Sequence, residues 1–244
     1  MEPTRGKALK SILGIAVVLL LAFFALVAYY LWQIRYGNTA ALIKEFKSDE
    51  LTLDESQSKK TFPNDLPLIA SQIAESAADR PTLGRVEAPV TIIAFIDFEC
   101  PFCQKSYPIF KRVTEKYAPV VRVIFKHFPI ATIHPHAMQA AYAATCAHEQ
   151  GKFWPYYDRL FTEKTLDDAS LLDHASATDI SPSAFRTCIE DLRYTGVIEE
   201  DLQDAKNLHL RGTPTYIVNG VVVEGVTDEA TWDKILIDAL KQTP

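Results

Sequence analysis

Residues 91–103 read Thr-Ile-Ile-Ala-Phe-Ile-Asp-Phe-Glu-Cys-Pro-Phe-Cys, and the rest of the chain is best read outward from them. Thr91 to Ile96 is an almost unbroken run of β-branched and apolar side chains. A strand with one face in water alternates polar and apolar residues; a run without alternation predicts a strand buried on both faces, at the centre of a sheet. The motif Cys100-Pro101-Phe102-Cys103 follows at once. Pro101 suits the first turn of a helix, where the N–H it lacks would have no partner anyway. The motif therefore marks a strand-to-helix junction, with a helix expected to about Tyr117 and a kink at Pro108, which removes one helical hydrogen bond.

Downstream, residues 120–128 form a second apolar strand candidate. Residues 136–149, 152–161 and several short segments to about Leu208 read as helical, most clearly the alanine-rich stretch 137–147. Residues 215–218 and 221–224 flank Asn219-Gly220, the signature of a tight hairpin turn that needs positive φ. A final helix from Thr227 or Asp228 places Trp232, Ile235, Leu236, Ala239 and Leu240 on one face, to cover the sheet.

Upstream, residues 11–34 carry no charge between Lys10 and Arg35. At about 1.5 Å per residue such a helix crosses a hydrocarbon core of about 30 Å, and Tyr29, Tyr30 and Trp32 stand where interfacial aromatics belong. The run exceeds the apolar core of a signal peptide and no clean cleavage site follows, so an uncleaved anchor is expected. Arg5, Lys7 and Lys10 precede it and Arg35 alone follows closely, which puts residues 1–10 in the cytoplasm and the remainder outside. Residues 35–80 read as a polar tether ending in a short helix, where Ile69, Ile73 and Ala77 recur at helical spacing; residues 81–244 form the domain. The formal net charge of -6, without massed basic residues, excludes docking on nucleic acid through its phosphates.

A strand ending in C-x-x-C, a second strand, a helical block, a Thr-Pro, a hairpin and a helix form an order that resembles the DsbA-like branch of the thioredoxin superfamily. The residues that carry the resemblance are 97–103, Lys126-His127-Phe128-Pro129, the segment 146–161 with Gly151-Lys152-Phe153-Trp154, and Gly212-Thr213-Pro214-Thr215. It covers about residues 81–240 and implies a thioredoxin-like α/β fold with a helical insertion at about 134–208, behind one transmembrane helix. It further implies a protein thiol-disulfide oxidoreductase on the periplasmic side of a bacterial cytoplasmic membrane. Its partners would be exported proteins and a membrane redox protein that recycles it, with no cofactor beyond the redox-active cysteine pair.

The chemistry fits the residues. Disulfide exchange needs a thiolate, and a cysteine at a helix N-terminus meets unpaired N–H groups and the positive end of the helix dipole. Cys100 stands there as the attacking residue, and Cys103, one turn on, resolves the mixed disulfide. Zinc would want a second ligand pair, which His134 and His136 do not supply at a convincing spacing, so no metal is expected. In the resembled family the proline matching Pro214 is cis and its loop faces the C-x-x-C, so Thr213 and Pro214 become candidates for holding substrate. The resemblance also implies that Cys146 and Cys188 pair as a structural disulfide; two separate buried thiols are the alternative. Six residues before Cys100, where many relatives carry a buried acid for proton transfer, this chain has Ala94, and Asp97 and Glu99 lie nearer the motif. Oxidase is the favoured direction, with a reductase or isomerase, or a non-enzymatic chaperone-like or metal-handling protein, as alternatives.

Overall fold

A computed structural model describes residues 65–242, together with Leu20, Phe23 and residues 25–27. Those five residues are helical, while the rest of the expected anchor and residues 35–64 of the tether lie outside the described residues. Among the described residues no helix is long and apolar enough to cross a membrane.

The chain from Leu66 onward runs α1 (Leu66–Glu75), a 3-10 turn (Ala77–Asp79), β1 (Thr82–Leu83), β2 (Val90–Ile96), α2 (Pro101–Lys116) and β3 (Val121–His127). There follow α3 (Ala137–Glu149), α4 (Phe153–Glu163), α5 (Asp168–Ser176), α6 (Pro182–Glu190) and α7 (Thr195–Asn207), then β4 (Thr215–Val218), β5 (Val221–Glu224) and α8 (Glu229–Gln242). The sheet order is β1-β3-β2-β4-β5. β2 lies at the centre, parallel to β3 and antiparallel to β4, with Ala94 opposite Phe125 on one side and Tyr216 on the other.

The unbroken apolar run of β2 has the cause the sequence suggests, because successive side chains alternate between two cores. Ile92, Ala94 and Ile96 join the core built with α2, α8 and the inserted helices. Ile93 and Phe95 join the core on the opposite face, with Leu66, Ala70 and Ile73 of α1 and Ala205 of α7. Helix α2 continues through Pro108 to Lys116, and α8 buries Trp232, Leu236 and Ala239.

Helix α1, to which the sequence assigns no role, is thereby part of the packed sheet. It lies so close to the β4–β5 turn that a Cβ added to Gly220 would stand 2.9 Å from Cα of Pro67. With φ at 84° and Asn219 at 45°, Gly220 meets both that approach and the left-handed turn. On the same face Asp201, fully buried, accepts from Arg80 at 2.8 Å, from Lys126 at 2.9 Å and from the His127 amide at 2.8 Å. Three donors for one buried carboxylate meet the condition under which such a charge is tolerated, and they tie α7 to the sheet.

Candidate active site

The end of β2 delivers Asp97 to Glu99 into a short connection, and α2 begins immediately after Cys100. Cys100 has extended backbone as the N-cap of α2, Pro101 opens the first turn, and Cys103 lies one turn in. Both cysteines are free thiols with little exposure, 3% and 2%. Phe102 between them is 61% exposed, so the motif presents an aromatic side chain at the surface above sulfurs that sit beneath it.

The loop ahead of β4 closes over the pair. Its Thr213-Pro214 peptide is cis, and the Cys100 thiol donates to the Thr213 carbonyl at 3.3 Å. The Thr213 hydroxyl is buried and makes no hydrogen bond of good geometry; its side chain faces the two sulfurs. A groove of about 450 Å³ runs past this loop, lined by Phe102, Arg211, Thr213, Pro214 and Glu224 among others.

The two sulfurs are pushed in opposite directions. The Cys103 thiol, donating to Cys100, is the largest influence on it; with the Thr213 hydroxyl and the amides of Cys103 and Phe102 it brings Cys100 down to about 5 against the opposing effect of burial. Cys103 is pushed well above its ordinary value, first by burial and then by the charge that develops on Cys100. At neutral pH the site therefore holds one thiolate and one thiol, and a thiolate is the nucleophilic form.

No acid stands at Ala94, which is buried in the same core cluster as the pair. Asp97 is buried and receives the amides of Glu99 and Ile130, both at 2.8 Å, and Nδ1 of His134 at 2.7 Å. Glu99 takes the amide of His136 at 2.6 Å and its Nδ1 at 3.0 Å. These pairings divide His134 and His136 between two different carboxylates. Cys146 and Cys188 lie elsewhere, joined by a disulfide that closes a separation of 42 residues between α3 and α6. Sequence patterning had no signal for the Thr213 carbonyl as a partner of the Cys100 sulfur, because that contact joins residues 113 positions apart.

A sheet in this order, with a C-x-x-C opening the helix after its central strand and a cis-proline loop against it, defines a thioredoxin-fold protein. The chain belongs to the thioredoxin family, whose family model matches residues 76–238. The Na(+)/H(+) antiporter NhaA 3 of Salinispora tropica is 39% identical over 138 residues, 56% of this chain and 21% of that protein. The NhaA 1 antiporter of Mycolicibacterium vanbaalenii is 31% identical over 153 residues, 61% of this chain and 24% of that protein. The chain thus spans under a quarter of the length of these curated relatives. Among solved structures, oxidised BdbD of Bacillus subtilis superposes with a TM-score of 0.62 at 24% identity, over 68% of this chain and 95% of that one. The thiol-disulfide exchange protein alpha-DsbA2 of Wolbachia pipientis does so with a TM-score of 0.64 at 20% identity, over 74% and 97%. Both share the fold.

Proposed function

We propose that this protein is a thiol-disulfide oxidoreductase that exchanges disulfides with other proteins through Cys100 and Cys103. The observation that carries the reading is the placement of the pair: Cys100 caps the N-terminus of α2 with its sulfur 3.3 Å from the Thr213 carbonyl of the cis-proline loop, and Cys103 is buried one turn on, an arrangement that holds Cys100 down to about 5 and Cys103 up. In the oxidised protein a substrate thiolate attacks Cys100, a substrate–Cys100 disulfide forms, and Cys103 leaves with the electron pair of the broken bond. A second substrate thiolate then attacks the substrate sulfur of that mixed disulfide. The substrate disulfide closes, Cys100 leaves as the stabilised thiolate, and two electrons have passed to the cysteine pair.

A low-lying Cys100 is a good leaving group, and this favours the oxidase direction. The groove past Thr213 and Pro214 offers a place for an extended substrate segment beside the sulfur. That the structurally similar alpha-DsbA2 is a thiol-disulfide exchange protein agrees with the same chemistry. The apolar run 11–34 with Arg5, Lys7 and Lys10 ahead of it supports a single membrane anchor with the domain outside the cytoplasm. The buried Cys146–Cys188 disulfide suits an oxidising compartment. Exported proteins would then be the substrates, and a membrane redox protein would return the pair to its oxidised form.

The test is turnover of a reduced two-cysteine peptide, followed by mass. The oxidised, unaltered protein should oxidise it; given instead the same peptide in its disulfide form, reduced Cys103→Ser should stall as a mixed disulfide on Cys100, because Cys100 breaks the peptide disulfide and no second cysteine resolves the product. Oxidation no faster than that by Cys100→Ser would overturn the proposal. Equilibration with glutathione gives the direction: a potential near about -120 mV marks an oxidant and one near about -270 mV a reductant.

A further inference from the structure

Strand β3 alternates between the two cores, so Arg122, Ile124 and Lys126 share the face that α1 covers. Ile124 fills the core there, and Lys126 is paired with Asp201 at 2.9 Å and Asp204 at 2.8 Å. Arg122 has no such partner. No ion pair among the described residues includes it, and its Nε is buried yet donates to no acceptor among them. Arg159 also keeps an unpaired Nε, but its guanidinium has Glu163 at 3.5 Å. Buried donors in folded proteins are paired almost without exception, so a buried Nε on an unpaired cation points to an acceptor from outside the chain.

There is room for one. In the parallel register Arg122 stands beside Thr91, whose amide donates to the Asn219 side chain at 2.8 Å, so the first residues of β2 and β3 and the β4–β5 turn form one floor. The wall opposite is α1, which presents the short side chains of Ala70, Ser71 and Ala74, and a cleft of about 630 Å³ lies between. That is the size of a small-molecule site. Ile93 adds to its apolar lining, as does Val86 at the mouth, 66% exposed. An apolar cleft with one cation suits a molecule with an apolar body and one negative group. Approached from the side, a guanidinium offers Nε and one terminal nitrogen at the spacing of the two carboxylate oxygens. Glu75, exposed and also lining the cleft, opposes a second negative charge and so disfavours a phosphate monoester.

We propose that the cleft between α1 and the sheet binds a small amphipathic monocarboxylate, whose carboxylate accepts from Arg122 and whose apolar body lies along Ala70, Ala74 and Val86. Strand β2 is about 20 Å long, and the cleft lies at its start whereas Cys100 follows its end. The ligand is therefore held apart from the cysteine pair, and the site stands or falls independently of the exchange chemistry proposed above.

The probe is radiolabelled octanoate in equilibrium dialysis against the full chain in detergent, with the same detergent alone as the background. The unaltered protein should take up one octanoate per chain, saturably, above that background. Arg122→Gln should weaken this binding about tenfold or more, the loss of a charge-assisted pair. Arg122→Lys, which keeps the charge and loses the fork, should weaken it by a smaller factor. Ala74→Leu fills the cleft and leaves Arg122 in place; it should abolish uptake, and it serves if the Arg122 variants do not fold. Unlabelled octan-1-ol and octyl phosphate compete with the label in separate arms, and both should displace it less well than unlabelled octanoate. Octyl phosphate that displaces the label as well as octanoate does overturns the carboxylate assignment, and octan-1-ol that does so removes Arg122 from recognition. No saturable uptake, or uptake that Arg122→Gln and Ala74→Leu both leave unchanged, overturns the site itself.

Discussion

Replacing Cys103 tests the electrostatics of the site most directly, because the Cys103 thiol does most to lower the value of Cys100. With a midpoint of about 5 the Cys100 sulfur is ionised throughout the neutral range. An unperturbed cysteine, titrating near about 8.5, would be only about 3% thiolate at pH 7. The gain in nucleophile at that pH is therefore about thirtyfold. Cys103→Ala deletes the donor and should move the midpoint of Cys100 up by one unit or more, whereas Cys103→Ser keeps an O–H in place and should move it less. Thiolate absorbance, or the pH dependence of alkylation followed by mass, gives the three midpoints. The sign follows from the depressed value: reactivity is full at neutral pH and is lost as pH falls through about 5. In the reduced protein the same shift makes folding more favourable: the contribution is full above the unfolded cysteine value, shrinks as pH falls from there, and is gone below about 5. A midpoint near that of free cysteine in the unaltered protein, or equal midpoints in the Ala and Ser variants, would refute the reasoning.

Two further outcomes test the frame around the site. Opening the Cys146–Cys188 bridge by changing both residues to alanine removes a constraint across 42 residues; loop-closure entropy puts the cost at about 4 kcal/mol, seen as a lower urea midpoint, and a loss under about 1 kcal/mol would mean that the helices hold together without it. Asp201→Asn weakens the acceptor shared by buried Arg80 and Lys126 and should cost about 3–5 kcal/mol in the same assay, whereas a change within about 0.5 kcal/mol would show that Arg80 and Lys126 find other partners.

The legible parts of the molecule are those whose physics is local. Side chains on both faces of residues 91–96 are apolar because both are covered, so a central strand could be read without knowing what covers it. Pro101 and Asn219-Gly220 set backbone angles by their own covalent structure, which is why the helix start and the hairpin stand in the structure where the sequence places them. The Cys100–Cys103 spacing likewise implied a helix N-terminus and one turn.

What only the tertiary structure decided involves partners far apart along the chain. Thr82–Leu83 is too short to show a period and becomes a strand through pairing with Ile124 and Val123. Helix α1 has a role because the β4–β5 turn has no side chain at Gly220 to keep Pro67 away. Asp201 meets Arg80 across 121 positions, and Asp97 meets His134 across 37. Sequence alone shows two acids, an arginine and a histidine whose pairing no local rule supplies. The nature of Asp97 shows the difference most sharply: in the sequence it is an acid near a cysteine motif, and in the structure its buried carboxylate receives the amides of Glu99 and Ile130 and Nδ1 of His134, joining the β2–α2 connection to the loop after β3. Composition determines which groups can carry charge, but burial and the directions of donors determine which charge each one holds, and those arise only when distant segments pack.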